Sequence, residues 1–227
     1  MEKEINLMKK LLILLLAGIW CLGLGNFAEA GPVNPSFEDA PALTGWTQSA
    51  GGVFEQAASA GVFTPTATVL PKAGSYFAVV SVVDTYWSAD LSQAFVLNAG
   101  DQLSGWAYFE AGDFLPYDDN GAVRIYNQAG QQLAELWKKS VTDVNDYGHS
   151  ADWEAWTPWI APAAGTYTLQ LYVENVYDAG YSSRAFFDDI QVVTPAAAAV
   201  VIPLPGSLLL LGSGLAGLAG MRLRKKA

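Results

Sequence analysis

The sequence predicts an all-β fold, a sandwich or a barrel, for residues 31–194. Short segments rich in β-branched and aromatic residues recur between clusters of turn residues, which is typical of all-β domains. One of them, 166–173, alternates polar and apolar residues with the period of a strand that has one buried face. No long segment of this region has the 3.6-residue period of a helix. The length suits one domain with a substantial core.

Seven strands are predicted along this region. They cover residues 75–83, 91–97, 103–109, 122–126, 132–137, 166–173 and 184–193. Turn residues at 98–101 and 127–130 lie between consecutive strands, so a hairpin is expected at each of these two places.

The last predicted strand has an acidic residue among apolar ones. Period two places Asp188 on the same face as Phe186, Ile190 and Val192. A carboxylate on an apolar face must be paired, protonated or bound to a cation. Arg184 or Arg124 could be its partner; the neighbouring Asp189 points the other way and is expected to be solvated.

Residues 1–30 are predicted to be a secretory signal peptide. A lysine-containing segment precedes the apolar stretch 11–24, and Ala28 and Ala30 give the small-x-small form of a cleavage site. Cleavage is therefore expected after Ala30. Cys21, the one cysteine, lies in this segment, so the mature chain has no disulfide and no thiolate metal site.

The C-terminal residues 203–221 carry no charge and are mostly Leu, Gly and Ala. At a helical rise of about 1.5 Å per residue they would span about 28 Å, close to one hydrocarbon core. The basic residues at 222–226 would stay on the cytoplasmic side. A core helix would have a polar face, which this segment lacks. A transmembrane helix is therefore predicted, joined to the domain by a linker at 195–201.

The order of parts in residues 202–227 is more specific than their hydropathy. Pro203, Leu204 and Pro205 stand directly before the apolar span, and a basic terminus follows it. This arrangement resembles the PEP-CTERM sorting signal of Gram-negative bacteria, with Leu204 in place of the usual Glu. The resemblance implies an inner-membrane-anchored intermediate that an exosortase-type enzyme processes. It also implies delivery to the outer envelope surface or the extracellular matrix, often with exopolysaccharide.

The charge of the mature region limits its partners. Residues 31–202 hold 19 Asp and Glu residues against five Lys and Arg, a net charge of −14. Nucleic acid is excluded as a partner because its binding needs a basic surface. The acidity suits divalent cations and neutral or cationic ligands, or it serves solubility alone.

Four short motifs carry a second resemblance. They are Asn-Pro-Ser-Phe-Glu at 34–38, Gly-Trp at 45–46, Gly-Thr-Tyr-Thr-Leu at 165–169 and Phe-Asp-Asp-Ile at 187–190. They resemble the opening and the last two strands of jelly-roll carbohydrate-binding modules. The resemblance implies a galactose-binding-like jelly-roll β-sandwich. It also implies a structural calcium ion bound by Glu38 and Asp188, with backbone carbonyls as further oxygen ligands.

A second acidic stretch lies between two predicted strands. It contains Glu110, Asp113, Asp118, Asp119 and Asn120. It lacks the spacing of an EF-hand loop. Its oxygens could hold a hard cation, but an ordinary solvated loop is the simpler interpretation.

The mature region also contains seven tryptophans and ten tyrosines. Aromatic rings on a surface can stack on the C–H faces of sugars, although sandwich cores also use Trp freely. Most of these rings are expected in the core. Tyr86, Trp87, Tyr177 and Tyr181 lie in predicted loops and are the candidate ligand contacts.

Little in the sequence favours catalysis. His149 is the one histidine and is expected to be a solvated loop residue, and there is no Gly-x-Ser-x-Gly motif. Paired carboxylates such as Glu110 and Glu174 could serve a glycosidase. The favoured hypothesis is an exported, non-catalytic envelope or matrix protein that binds glycan. The alternatives are a carbohydrate-active enzyme and a purely structural surface protein.

Overall fold

The structure is a computed structural model that describes residues 31–83 and 86–195. The predicted signal peptide, the linker beyond Pro195 and the predicted sorting tail lie outside these residues. In the part of the chain that is described, no helix is long and apolar enough to cross a membrane.

The described residues form strands and one short helix. In order these are β1 (Thr47–Gln48), β2 (Gly52–Ala57), β3 (Ala60–Phe63), β4 (Thr66–Val69), β5 (Phe77–Val82), β6 (Ser88–Leu97), β7 (Gln102–Glu110), β8 (Asn120–Asn127), β9 (Gln132–Ser140), α1 (Val141–Val144), β10 (Glu154–Ala155), β11 (Trp159–Ile160), β12 (Gly165–Glu174) and β13 (Arg184–Val193). The all-β prediction is confirmed.

Two antiparallel sheets pack face to face. One has the strand order β1-β6-β12-β8-β9, and the other has the order β10-β7-β13-β5-β2, with β11 also paired to β7. The main core lies between them and includes Leu169, Leu171 and Phe187, none of which is exposed. Side chains alternate strictly along β12, as the sequence predicts, because one of its faces is buried and the other is polar.

The two expected hairpins have different outcomes. The turn at 127–130 joins β8 to β9, which pair as a hairpin. The turn at 98–101 joins β6 to β7, and these strands belong to different sheets. The second hairpin prediction is therefore wrong, because a turn signal does not determine whether the next strand pairs or crosses to the opposite sheet.

A smaller apolar cluster covers the outer face of the β7-β13-β5 sheet. The β3–β4 hairpin packs there through Val62 and Val69 against Phe77 and Phe186. The rings of Phe77 and Phe186 meet edge to face, with centroids 5.8 Å apart. This sheet therefore buries apolar side chains on both faces.

A β-bulge divides β13 and overturns one sequence prediction. The pairing with β7 shifts after Asp188, and Asp189 has a φ of 49°. Phe186 packs in the outer cluster, whereas Ile190 and Val192 pack on the main core. The prediction that these residues share one face is wrong, because the extra residue of a bulge reverses the alternation beyond it.

Candidate functional site

Several long loops meet at one end of the sandwich, called here the aromatic end. β5, β7 and β12 end there, β6 begins there after Tyr86 and Trp87, and the loops 111–119 and 175–183 follow β7 and β12. The backbone N–H of Asn175 donates to the carbonyl oxygen of Trp87 at 2.8 Å. The fold therefore brings the sequence-predicted ligand residues of two distant segments to one end of the domain.

The four sequence-predicted ligand residues are all exposed at this end. The exposed fractions are 47% for Tyr86, 57% for Trp87, 73% for Tyr177 and 69% for Tyr181. Trp87 is the one exposed tryptophan among the described residues; the others there are buried or half-buried. Four aromatic rings turned towards solvent on neighbouring loops are typical of a binding surface.

The backbone of the 175–183 loop has unusual conformations at both tyrosines. Tyr177 has a φ of 72° and Tyr181 a φ of 51°, in the left-handed region that residues other than glycine seldom adopt. Such conformations persist where surrounding contacts determine them, and they cluster at binding sites. Gly180 N–H donates to Asp178 Oδ1 at 2.8 Å inside this loop.

Beneath the aromatic end lie two buried carboxylates. Asp113 is 0% exposed and Asp119 is 1% exposed. The expectation of a solvated acidic loop is therefore wrong at these two positions and also at Glu110 and Asn120, each 4% exposed, although Asp118 is half-exposed. Burial, together with repulsion from Asp113 and Asp178, raises the pKa of Asp119 to about 6, although hydrogen bonds from Val176 and Ser183 lower it.

A second polar surface, which the sequence analysis did not single out, is the outer face of the five-stranded sheet. The guanidinium of Arg124 lies 4.2 Å from the ring centre of Tyr172, and Tyr126 donates to Gln170 at 3.0 Å. A shallow groove of about 270 Å³ passes Tyr126 and Gln170. The polar face of 166–173 was visible in the sequence, but its neighbours from β8 were not.

The predicted calcium ligands Glu38 and Asp188 hold the same loop. Glu38 Oε1 accepts the N–H groups of Ser75 and Tyr76 at 2.8 and 2.9 Å. Asp188 Oδ2 accepts those of Lys72 and Ala73 at 2.7 and 3.0 Å. Both carboxylates thus fix the segment between β4 and β5.

The environment of Asp188 is apolar and closed. Its side chain is 0% exposed, and its Oδ1 accepts the N–H of Asp189 at 2.6 Å. Burial raises the pKa of Asp188 to about 6, against the lowering effect of its three backbone hydrogen bonds. Its hydrogen-bond partners are thus backbone N–H groups, and Arg124 and Arg184, the alternative partners, pair with Glu135 and Glu110. Asp189 is half-buried and accepts from Gln191 at 2.7 Å.

The donor set around Glu38 and Asp188 suits a hard cation only in part. Both residues supply carboxylate oxygens, which calcium prefers. Among residues 31–83 and 86–195, however, no three His, Cys, Asp or Glu side chains converge closely enough to hold a metal ion. A calcium ion there would need backbone carbonyls for the rest of its ligands.

His149 is not a solvated loop residue, which corrects the sequence prediction. Its ring stacks on Tyr108 with centroids 5.8 Å apart, and its Nδ1 lies 2.5 Å from the Tyr108 hydroxyl. Its Nε2 lies 2.8 Å from the carbonyl oxygen of Pro65. Burial, followed by the charges of Glu110 and Asp152, raises the pKa of Tyr108 to about 12.

The two carboxylates considered for glycosidase chemistry have structural partners. Glu110 Oε2 accepts from Arg184 Nε at 2.6 Å, and the side chain of Glu110 is 5% exposed. Glu174 lies on the other sheet and accepts from Asn120 at 3.3 Å. Glu110 and Glu174 therefore belong to separate polar pairs.

Comparison with known proteins finds likenesses of structure. No protein-family model and no curated protein matches the chain. The chain is similar to TmCBM61 in complex with β-1,4-galactotriose, with 18% identity and a TM-score of 0.45 over 73% of this chain and 99% of that chain. It is also similar to the CBM22-1 xylan-binding domain of Paenibacillus barcinonensis Xyn10C, with 18% identity and a TM-score of 0.40 over 73% of this chain and 96% of that chain. Both are carbohydrate-binding modules, the class that the core motifs resemble.

Proposed function

We propose that residues 31–194 form a non-catalytic glycan-binding domain of an exported envelope or matrix protein. The observation that supports this most directly is the aromatic end, where Trp87, Tyr177 and Tyr181 are each more than half exposed. Exposing large rings to water is unfavourable, so a folded domain that does so on adjoining loops has a surface suited to an apolar partner face. The C–H faces of sugar rings provide such a face.

The charge of the domain defines the kind of glycan. Asp178 and Asp146 lie near the exposed rings, and the region as a whole is strongly acidic. Carboxylates accept hydrogen bonds from sugar hydroxyls but repel uronic acids and sulfated sugars. A neutral or cationic exopolysaccharide is therefore the expected ligand.

Binding to an array of neutral, cationic and anionic polysaccharides tests this function. Trp87→Ala or Tyr177→Ala should weaken binding of the best ligand by roughly tenfold or more, as expected for loss of a central aromatic contact. Tyr76→Ala is the matched control: its ring is 38% exposed, and it lies just before β5, at the opposite end of that strand from Trp87.

Three other outcomes would contradict the proposed site or function. Loss of binding in Tyr126→Ala but not in Trp87→Ala would move the ligand to the outer face of the five-stranded sheet. An absence of binding across the array would favour a purely structural surface protein. Turnover of a labelled polysaccharide that Glu110→Gln abolishes would favour the enzyme alternative.

The proposed route of the protein rests on its two terminal segments. Mass spectrometry of the exported protein should find Gly31 at its N-terminus, and a peptide containing residues 11–24 would contradict cleavage after Ala30. Replacement of Pro203 and Pro205 by Ala should change the distribution of the protein between membrane and exterior fractions. Identical fractionation of variant and wild type would leave the motif no role in sorting.

We also propose a structural calcium ion at Glu38 and Asp188. The closed carboxylate of Asp188 and the shared loop support it, and calcium would supply positive charge there and no reaction step. Binding at a hundred times Kd adds about 2.7 kcal/mol to the free energy of unfolding. For a domain of this size that raises the melting temperature by roughly 5–10 °C.

Thermal melting in EDTA and in millimolar calcium measures this effect. Asp188→Asn should reduce the calcium-dependent rise, whereas Asp189→Asn should keep it because the Asp189 side chain accepts its hydrogen bond from Gln191. Equal calcium-dependent rises in the two variants would exclude the site.

A further inference from the structure

The main core ends in polar residues at the aromatic end. Along four neighbouring strands, the row of inward-facing side chains is apolar until its last position. Asp113 ends the row that begins with Phe109 and Ala111, and Asn175 ends the row of Leu171 and Val173. Asp119 begins the row that continues with Gly121 and Val123, and Ser183 begins the row of Ala185 and Phe187. Asp113, Asp119, Asn175 and Ser183, called here the polar cap, are all at most 2% exposed.

Hydrogen bonds join these residues into one group. Asp119 Oδ2 accepts the Ser183 hydroxyl at 2.8 Å, and Asp119 Oδ1 accepts the backbone N–H of Val176 at 2.8 Å. The Ser183 oxygen in turn accepts the N–H of Gly112 at 2.9 Å. The residues before Asp113 and after Asn175 are thus both tied to the Asp119–Ser183 pair.

Two buried acceptor atoms of the polar cap lack a hydrogen-bond donor. They are Asp113 Oδ2 and Asn175 Oδ1, on side chains that are 0% and 2% exposed. Asp113 Oδ1 accepts the N–H of Phe114, and Asn175 Nδ2 donates to Ser182, so each residue is held with one oxygen left over. A buried acceptor without a donor costs about 1–3 kcal/mol unless another group meets it.

The charge of the polar cap is also uncompensated by neighbouring bases. The charges that shift the pKa of Asp113 are those of the carboxylates of Asp178 and Asp146. The charges that shift the pKa of Asp119 are those of the carboxylates of Asp113 and Asp178. The recorded ion pairs of the described residues join Arg124, Lys139 and Arg184 to glutamates and none to this group. A buried cluster of this sign is stable only with bound protons or a cation.

We propose that the polar cap binds a calcium ion through Asp113, Asp119 and Asn175. Two carboxylates, an amide oxygen and nearby backbone carbonyls form the all-oxygen, partly charged set that calcium takes. Such a set does not need three acidic side chains at one point. A buried water could satisfy the two spare oxygens but would leave the two carboxylate charges in place.

This ion would be separate from one at Glu38 and Asp188. Those residues hold the loop between β4 and β5, whereas the polar cap joins the loops after β7 and β12. Single substitutions can therefore distinguish the two sites.

Calcium counting on the full-length chain tests the proposal. The protein is stripped with EDTA, dialysed against calcium and analysed by mass spectrometry for bound metal. Asp113→Asn should hold one calcium fewer than the wild type, and Asp152→Asn, which removes an exposed carboxylate elsewhere, should hold the same number. If Asp113→Asn has the circular dichroism spectrum of the wild type and binds as much calcium, the proposal is wrong.

A second variant keeps the test decisive if Asp113→Asn does not fold. Asn175→Asp adds a third carboxylate at nearly constant shape, so a cation site should bind calcium at least about tenfold more tightly. The same variant should melt lower in EDTA and recover in calcium. Melting that is lowered equally in both buffers would show a water-filled or protonated cluster and would overturn the cation site.

The polar cap lies directly beneath the loop that bears Tyr177 and Tyr181. A calcium ion there would fix this loop to the β7–β8 loop, so glycan affinity should fall several-fold in EDTA. This consequence alone rests on the proposed glycan-binding function. Calcium that is bound and counted without any effect on glycan affinity would reject the coupling and leave the metal site standing.

Discussion

Replacement of Asp188 by Ala should destabilise the domain through the loss of one loop anchor. The carboxylate accepts three backbone N–H groups, from Lys72, Ala73 and Asp189, at 2.6–3.0 Å. In Asp188→Ala these donors lose their acceptor. The segment between β4 and β5 keeps its hydrogen bonds to Glu38 and to Trp153. The β3–β4 hairpin directly precedes this segment, so its packing on the outer sheet face should loosen as well.

The size of the effect follows from these contacts. A hydrogen bond to a charged group contributes a net of roughly 1.5–3 kcal/mol. The three bonds share one acceptor whose burial is itself costly, so their contributions do not add. The expected loss is about 3–5 kcal/mol, because three N–H groups lose their acceptor at about 1–3 kcal/mol each while the cost of burying the carboxylate disappears. At roughly 2–4 °C per kcal/mol the melting temperature should fall by about 6–20 °C.

The assay is thermal unfolding followed by circular dichroism in EDTA, so that loss of a metal does not enter the measurement. Asp189→Asn is the control, because Asn tolerates a positive φ and Asp189 has one side-chain partner. Its melting temperature should stay within a few degrees of the wild type. Indistinguishable melting of Asp188→Ala and Asp189→Asn would refute the role of Asp188 as the anchor of this loop.

Three further predictions concern the core and the aromatic end. Gly112→Ala should lose about 1–3 kcal/mol of stability in the melting assay, because its Cβ would overlap two backbone carbonyls of the β12–β13 loop. Gly61→Ala is the control and should be nearly neutral, because the Cβ at that position meets open space. Phe187→Ala should cost about 3–5 kcal/mol in denaturant unfolding, because it opens a cavity in the middle of the main core; a smaller loss than that of Ile160→Ala, at an exposed edge position, would contradict this packing. Tyr108 should ionise near pH 12 in an ultraviolet titration, and Tyr108→Phe should remove that step. Since the native state then keeps a proton that the unfolded state releases near pH 10, the free energy of unfolding should fall by about 2 kcal/mol between pH 10 and 12.

Local patterns were enough to predict the fold class and most long strands. The alternation of 166–173 matches β12, and 184–193 matches the bounds of β13. The short strands β1–β4, β10 and β11 were not predicted. They contain two to six residues each, which is too few for a periodic pattern. Except for β3 and β4, which pair with each other, their pairing partners are distant in sequence.

The candidate site was predictable only as a set of residue types. Loop context identified Tyr86, Trp87, Tyr177 and Tyr181 as exposed, because turn residues flank each of them. That Trp87 lies beside the start of the 175–183 loop depends on β6 and β12 being neighbours over ten residue pairs. No local sequence pattern predicts which residues of β6 and β12 pair.

The sequence by itself determined two kinds of feature. One is the order of residues in the two terminal segments, and the other is the alternation of polar and apolar residues that forms a sandwich. Predicted export and sorting depend on order and hydropathy at the two termini, and the all-β class depends on period two. Tertiary structure alone decided the burial of the acidic residues. Asp113 and Asp119 read as a solvated loop in sequence, but the rows to which they belong continue the core. Asp188 stays on the outer face with Phe186, and the bulge after it turns Ile190 and Val192 to the main core. A carboxylate becomes buried when strands from the two sheets pack around it. The residues that enclose it are far apart in the chain, so no local pattern in the sequence predicts its burial.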